Sequence, residues 1–237
     1  MAEWRVQLRG NNSDLQELEQ ILLGHDPTII HEDDNFYLKF AKWEQLRDAE
    51  QVRNQAKLLI ELLDRATYLH FRDTAPITID HVVRIEDDGY KQYFVFGAAV
   101  LTLGPGRLRA TATTAGPEGQ PIENTQKHAI IRVLQISESY PSVADALKFL
   151  REGDWVGLYK AYEIARDEVR GNEGIIRRGW LTKKSISRFT QTAQSRAALG
   201  DEARHASRKY KPPKEPMSIH EAKAIIGDLL QKWIDSL

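Results

Sequence analysis

The sequence predicts an α+β protein of two parts: a mixed or antiparallel sheet with two helices over residues 1–116, then an all-helical bundle over 122–237. Three observations carry this. Short runs in the first half alternate apolar and polar residues with the period of a half-buried strand, interrupted by two stretches of helical period. Beyond residue 121 the apolar residues recur three and four apart to the end. Between the two regimes "AGPEGQP", residues 115–121, gathers glycine and proline, the composition of a boundary or linker.

In chain order, Trp4, Val6 and Leu8 mark a first strand. Ser13 and Gln16 have capping-box spacing, and Leu15, Leu18, Ile21 and Leu22 follow on one helical face. "PTIIHEDDNFYLKF" predicts two short strands around the acidic turn Asp33-Asp34-Asn35. Asp48 opens a long helix to about His70, with Val52, Ala56, Leu59, Ile60 and Leu63 as its stripe. "PITIDHVVRI" returns to period two, and Asp88-Gly89 is a favoured pair for a two-residue hairpin. "KQYFVFGAAVLTL" and "GRLRATATT" supply the return strands, for five or six in all.

In the second part "ENTQKHAIIRVLQIS" is a helix, and Pro141 with a capping box from Ser142 to Asp145 opens a short one to Leu150. Asp154 caps a helix carrying Trp155, Leu158, Tyr162, Ala165 and Val169, which stops at Gly171. "LTKKSISRFTQTAQSRAALG" is a basic helix. Ser218 and Glu221 form a capping box before the last helix, whose stripe is Ala222, Ile226, Leu229, Leu230 and Trp233. Pro212, Pro213 and Pro216 lie just outside it, where proline does not interrupt helical hydrogen bonds.

The chain of 237 residues is 41% hydrophobic and 28% charged, globular values, so it is long enough to bury a core. It has no cysteine, which excludes disulfides, thiolate metal sites and a cysteine nucleophile. Its longest apolar run, Phe94 to Gly104, is well short of the roughly 20 residues a membrane helix needs. The expectation is a cytoplasmic protein without a membrane contact. The net charge of −1 hides an asymmetry: residues 1–119 hold 13 Lys/Arg against 19 Asp/Glu, whereas residues 174–214 hold 11 against 2. That basic stretch suits RNA or another polyanion, or an acidic protein surface.

Several motif classes are absent. "GPGRLRA" has Arg109 where a dinucleotide fingerprint needs glycine, and it leads into a strand rather than a helix. There is no P-loop, nucleophile elbow or H-E-x-x-H zinc motif. His31 to Asp34 has the donors for a divalent cation, but a polar turn between strands is the preferred account of them. Neither a metal nor a cofactor is expected. Arg65 and His70 lie five apart on one helix, which turns the two side chains about 140° from each other.

Two stretches are the candidate site. Glu163 lies beside Tyr159 and Tyr162 on an amphipathic helix, placed to orient an arginine. Arg204 and His205 lie among Arg188, Arg196, Arg208, Lys209, Lys211 and Lys214, with Tyr210 inside the run. Such cations attract a phosphate backbone by releasing its counterions, and a tyrosine can stack on a base. A histidine next to a fixed arginine has acid–base and anion-stabilising capacity for RNA cleavage. Arg204, His205 and Glu163 are therefore the candidate catalytic residues. Arg188, Arg196, Arg208, Lys209, Tyr210 and Lys211 are the candidate nucleic-acid contacts.

The segments "DWVGLYKAYEIARDEV", "GWLTKKSISRFTQTAQS", "GDEARH" and "PPKEPMSIHEAKAIIGDLLQKWIDSL" resemble the HEPN-like helical domains of bacterial defence and toxin-type proteins. The resemblance covers about residues 140–237. It implies a four- or five-helix bundle, often dimeric, that in many members is a metal-independent RNase whose arginine and histidine meet across the dimer interface. The family spaces that pair R-x4-6-H, whereas Arg204 directly precedes His205 and Arg196 lies nine residues before it. The expected function is an effector of a defence or stress system that engages RNA, with metal-independent endoribonuclease activity as its enzymatic form. The alternative is a non-enzymatic module that binds a protein partner or forms a homodimer.

Overall fold

In a computed structural model that describes residues 2–72, 74–96, 123–207 and 209–237, the fold is α+β. The chain divides into two compact units, Met1–Leu134 and Gln135–Leu237. The glycine–proline boundary at 115–121, the strand "GRLRATATT" and the later part of "KQYFVFGAAVLTL" lie outside the described residues.

The first unit contains β1 (Glu3–Arg9), α1 (Asn12–Leu22), β2 (Thr28–Glu32), β3 (Asn35–Lys39), α2 (Ala49–Phe71), β4 (Thr78–Ile85) and β5 (Lys91–Val95). Its strands pair antiparallel in the order β2-β3-β1-β4-β5. Cross-strand partners share a face, and the register Ile29↔Leu38, Val6↔Leu38, Leu8↔Phe36 and Val6↔Val82 puts these side chains on the core face. Helix α1 packs over β2, and α2 over β1 and β4. The β2–β3 turn places both Asp33 and Asp34 at positive φ (50° and 61°), as a two-residue hairpin of matching twist requires.

The other face carries charge. Glu3 accepts from Arg5 and, at 2.9 Å, from Lys39, while Arg5 also reaches Glu32. Burial pushes the Glu3 carboxyl up, but the bonds from Lys39 and Arg5 outweigh it and hold the group below its ordinary value.

The division between the units falls within α3 (Glu123–Ser139). The second unit continues with α4 (Pro141–Glu152), α5 (Trp155–Glu168), α6 (Asn172–Arg177), α7 (Lys183–Gln194), α8 (Arg196–Leu199) and α9 (Ile219–Asp235). Helix α5 packs against α4, α7 and α9. It comes so close to α4 that a Cβ on Gly157 would lie 2.7 Å from the Phe149 carbonyl oxygen. Phe189 of α7 sits among the rings of Trp155, Tyr159 and Tyr162, at 6.3, 6.0 and 5.6 Å between centroids.

Three helix starts differ from expectation. Asn11, not Ser13, caps α1, because its side chain already accepts from the Ser13 and Asp14 amides. Helix α4 starts at Pro141 with Tyr140 in the cap position, so Ser142 lies inside the first turn; proline has no N–H to satisfy there. The basic helix begins one residue after Thr182, which forms a capping box with Ser185 and separates it from the short α6. The Asp48, Asp154 and Ser218 caps form as expected.

Candidate nucleic-acid interface

The candidate site lies in the second unit, where the segment between α7 and α9 folds back on the body of the bundle. Helical spacing puts Tyr159, Tyr162 and Glu163 of α5 on neighbouring positions of one face. The Tyr159 ring packs on Phe189, and its hydroxyl accepts from Gln194 Nε2 at 2.6 Å. The Arg204 guanidinium lies 4.1 Å above the Tyr159 ring centroid. Its Nη2 donates to both carboxylate oxygens of Glu163, at 3.2 and 3.0 Å. The Arg204 amide donates to the Ala193 carbonyl at 2.8 Å. Arg204 is thus held through both backbone and side chain, and its charge is opposed by that of Glu163.

Replacing Glu163 by glutamine removes that opposing charge while keeping the shape. The pair is a little over a quarter exposed, so solvent screens part of its energy. The expected loss of stability is about 1 kcal/mol, checked by urea denaturation of the full chain. A neutral result would mean that the pair is effectively solvated.

Tyr162 beside it is fully buried, and its hydroxyl donates to Asn172. Burial pushes this phenol up to about 12, keeping it neutral and a donor.

Beyond Arg204 the imidazole of His205 stacks on Tyr210, with centroids 4.9 Å apart and planes 18° from parallel. Both side chains are half-buried. Ser195, fully buried at the end of α7, donates to the Tyr210 carbonyl at 3.0 Å and pins the loop from beneath. Lys209 Nζ is 5.0 Å from the Tyr210 centroid. Lys209 and Lys211 are exposed. Among the described residues no carboxylate or hydroxyl holds a His205 ring nitrogen, so the imidazole has a stacking partner and no orienting acid.

The remaining candidates divide. Arg188 turns inward. Its Nε donates to the Glu215 carbonyl at 2.8 Å, its Nη2 to the Pro216 carbonyl at 3.3 Å, and both Nη atoms reach the Glu221 carboxylate. The Ser218 amide and then Arg188 hold that carboxyl below its ordinary value. Arg188 therefore clamps the entry to α9 rather than presenting a free charge. Thr192 reinforces it by accepting from the Met217 amide at 3.1 Å. Arg196 pairs with Asp201 at 2.7 Å across the α8 turn. Arg208 lies outside the described residues.

In the first unit Arg65 pairs with Glu61 along α2, and His31 stacks on Phe36 at 4.4 Å. No three His, Asp or Glu side chains among the described residues gather to hold a metal ion.

Sequence reasoning missed the Tyr159 platform and the Ser195 anchor. Tyr159 lies four residues before Glu163, a spacing that places both on one helix face and was available as a signal. Ser195 had none, because its importance depends on where the loop returns. A scan against protein-family models, a search of curated proteins and a search of solved structures found no match to this chain.

Proposed function

We propose that the helical unit binds single-stranded RNA through the loop after α7, as the RNA-engaging component of a bacterial defence or stress system of the kind HEPN-like domains serve. The observation that carries this reading is the half-exposed His205–Tyr210 stack, pinned by Ser195 and flanked by Lys209 and Lys211. A flat aromatic surface beside exposed cations takes a base on its face and phosphate on its rim, without needing a particular sequence.

The geometry favours binding over cleavage. Catalysis by this pair requires Arg204 turned toward a scissile phosphate, whereas its guanidinium lies on Tyr159 and Glu163. Arg204 then acts as a positioning residue that holds the loop against α5.

The test is fluorescence anisotropy with a labelled uridine oligonucleotide at rising salt. Affinity is expected to fall linearly on a log–log plot, with a slope reduced by about 0.7 for each contacting lysine removed. Tyr210→Ala is expected to cost about 1–3 kcal/mol, the value of one stacked base. Binding that is absent, independent of salt or indifferent to Tyr210→Ala overturns the reading. Incubation of total RNA in EDTA is expected to leave it intact. Cleavage by the parent that an Arg204→Ala/His205→Ala variant lacks would instead assign a metal-independent nuclease.

A further inference from the structure

A second surface of the helical unit, formed by different residues, has its own chemistry. Between α6 and α7 the chain reads "GIIRRGWLTKK", residues 174–184, with four cations and no acid. Ile176, Trp180 and Leu181 from this turn, with Ile225 of α9, line an open hollow of about 480 Å³. Ile176 is 37% exposed. Trp180 is half-exposed, whereas the other four tryptophans of the chain are at most 3% exposed. Large apolar side chains left open in a concave surface rimmed by charge are a common mark of an interaction site.

The rim is basic. Lys183 lines the hollow, and the Arg178 guanidinium stands 5.4 Å from the Trp180 ring centroid. Lys232 of α9 donates to the Trp180 carbonyl at 3.1 Å, which ties the turn to the last helix. Arg177 and Lys184 are exposed neighbours. On the same two helices the acids are Glu173 of α6 and Glu221, Asp228 and Asp235 of α9, and Glu221 is already held by Arg188, so these five cations outnumber the remaining acids.

We infer that this hollow docks an acidic peptide segment of a partner protein, with one or two large aliphatic or aromatic side chains entering between Ile176, Trp180, Leu181 and Ile225. Carboxylates flanking that anchor meet Arg177, Arg178, Lys183 and Lys184.

Three features select this occupant. The walls are mostly apolar, with Ile176, Leu181 and Ile225 beside Trp180, which suits an aliphatic or aromatic side chain better than a polar base edge. At the start of α7 the capping box already uses two backbone donors, the Ser185 amide on Thr182 Oγ1 and the Thr182 amide on Ser185 Oγ, both at 3.1 Å, which leaves a phosphate less backbone to bind than an uncapped helix start offers. The apolar groups line a recess rather than project from the surface, which suits an inserted side chain better than a lipid bilayer. The surface shares no residue with the His205–Tyr210 stack, so it does not depend on the RNA reading.

Selection from a random peptide-display library on the immobilised full chain tests the proposal. The enriched peptides are expected to carry Asp and Glu around one or two Leu, Ile, Phe or Trp residues. A synthetic peptide of the enriched sequence is expected to shift Trp180 fluorescence to the blue, a change absent in Trp180→Phe. Its affinity is expected to fall at least about tenfold in Lys183→Glu/Lys184→Glu and in Ile176→Asp. The lysine pair keeps the test sound if Ile176→Asp fails to fold, since carboxylates in the first turn favour a helix.

No enrichment, enrichment of basic peptides, or binding that survives both variants overturns the proposal. So does binding of phosphatidylserine vesicles or uridine oligonucleotide that depends on Ile176 and Trp180 while acidic peptides do not bind.

Discussion

Phe189→Ala is expected to destabilise the helical unit by about 3–5 kcal/mol, the usual cost of emptying a buried phenylalanine site. Phe189 is 1% exposed and contacts three aromatic rings that all belong to α5. Trp155, Tyr159 and Tyr162 cannot collapse into the space together, because α5 is also held by α4 and α9. The loss of edge and stacked ring contacts adds to the lost burial. Urea denaturation of the full chain, followed by circular dichroism, measures the change, with Phe189→Leu expected to lose less than half as much. The same cluster supports the platform under Arg204, so the RNA binding proposed for the adjoining loop is expected to weaken at temperatures where the unit is still folded. A loss below about 1 kcal/mol for Phe189→Ala would show that the ring is not central to this core.

Gly174→Ala is expected to destabilise by about 3 kcal/mol, at the upper end of overpacking effects. The sign makes this prediction sharp. On an unobstructed helix the same change would gain up to about 1 kcal/mol, since alanine is the better helix former. Here a Cβ would lie 1.8 Å from the Val169 carbonyl oxygen, and the obstruction is backbone. Relief requires moving the turn between α5 and α6. That turn is fixed by the Gly171 amide donating to the Arg166 carbonyl at 2.8 Å and by Arg170 and Gly171 at positive φ (63° and 95°). Thermal denaturation of the parent and the alanine variant decides it; a raised melting temperature would mean that the turn is soft enough to yield.

The α+β architecture was legible because the hydrophobic period of each element was strong. Trp4, Val6 and Leu8 alternate, and Ala222, Ile226, Leu229, Leu230 and Trp233 repeat at helical spacing, so burial determines each local conformation without reference to distant residues. Helix starts were legible only where one capping residue dominated. Asn11 and Ser13 were both candidates for the cap position, and Asn11 holds it by accepting from the Ser13 and Asp14 amides, which puts Ser13 inside the first turn. Helix α6 escaped notice because six residues between two glycines carry no period.

The site divides along the same line. The composition of the chain alone established that residues 174–214 are strongly basic and contain Arg204, His205 and Tyr210 in one short run. It could not assign work to individual arginines, because a guanidinium serves equally as a free charge or an internal clamp. Tertiary folding made that assignment. It laid Arg204 on Tyr159 and Glu163, turned Arg188 onto Glu221 and the backbone before α9, and left Lys209 and Lys211 in water. These pairings join residues 27 to 45 positions apart, a separation over which local propensity carries no information. Charge and period are properties of neighbouring residues, whereas the partner of a charge depends on which distant segment packs beside it.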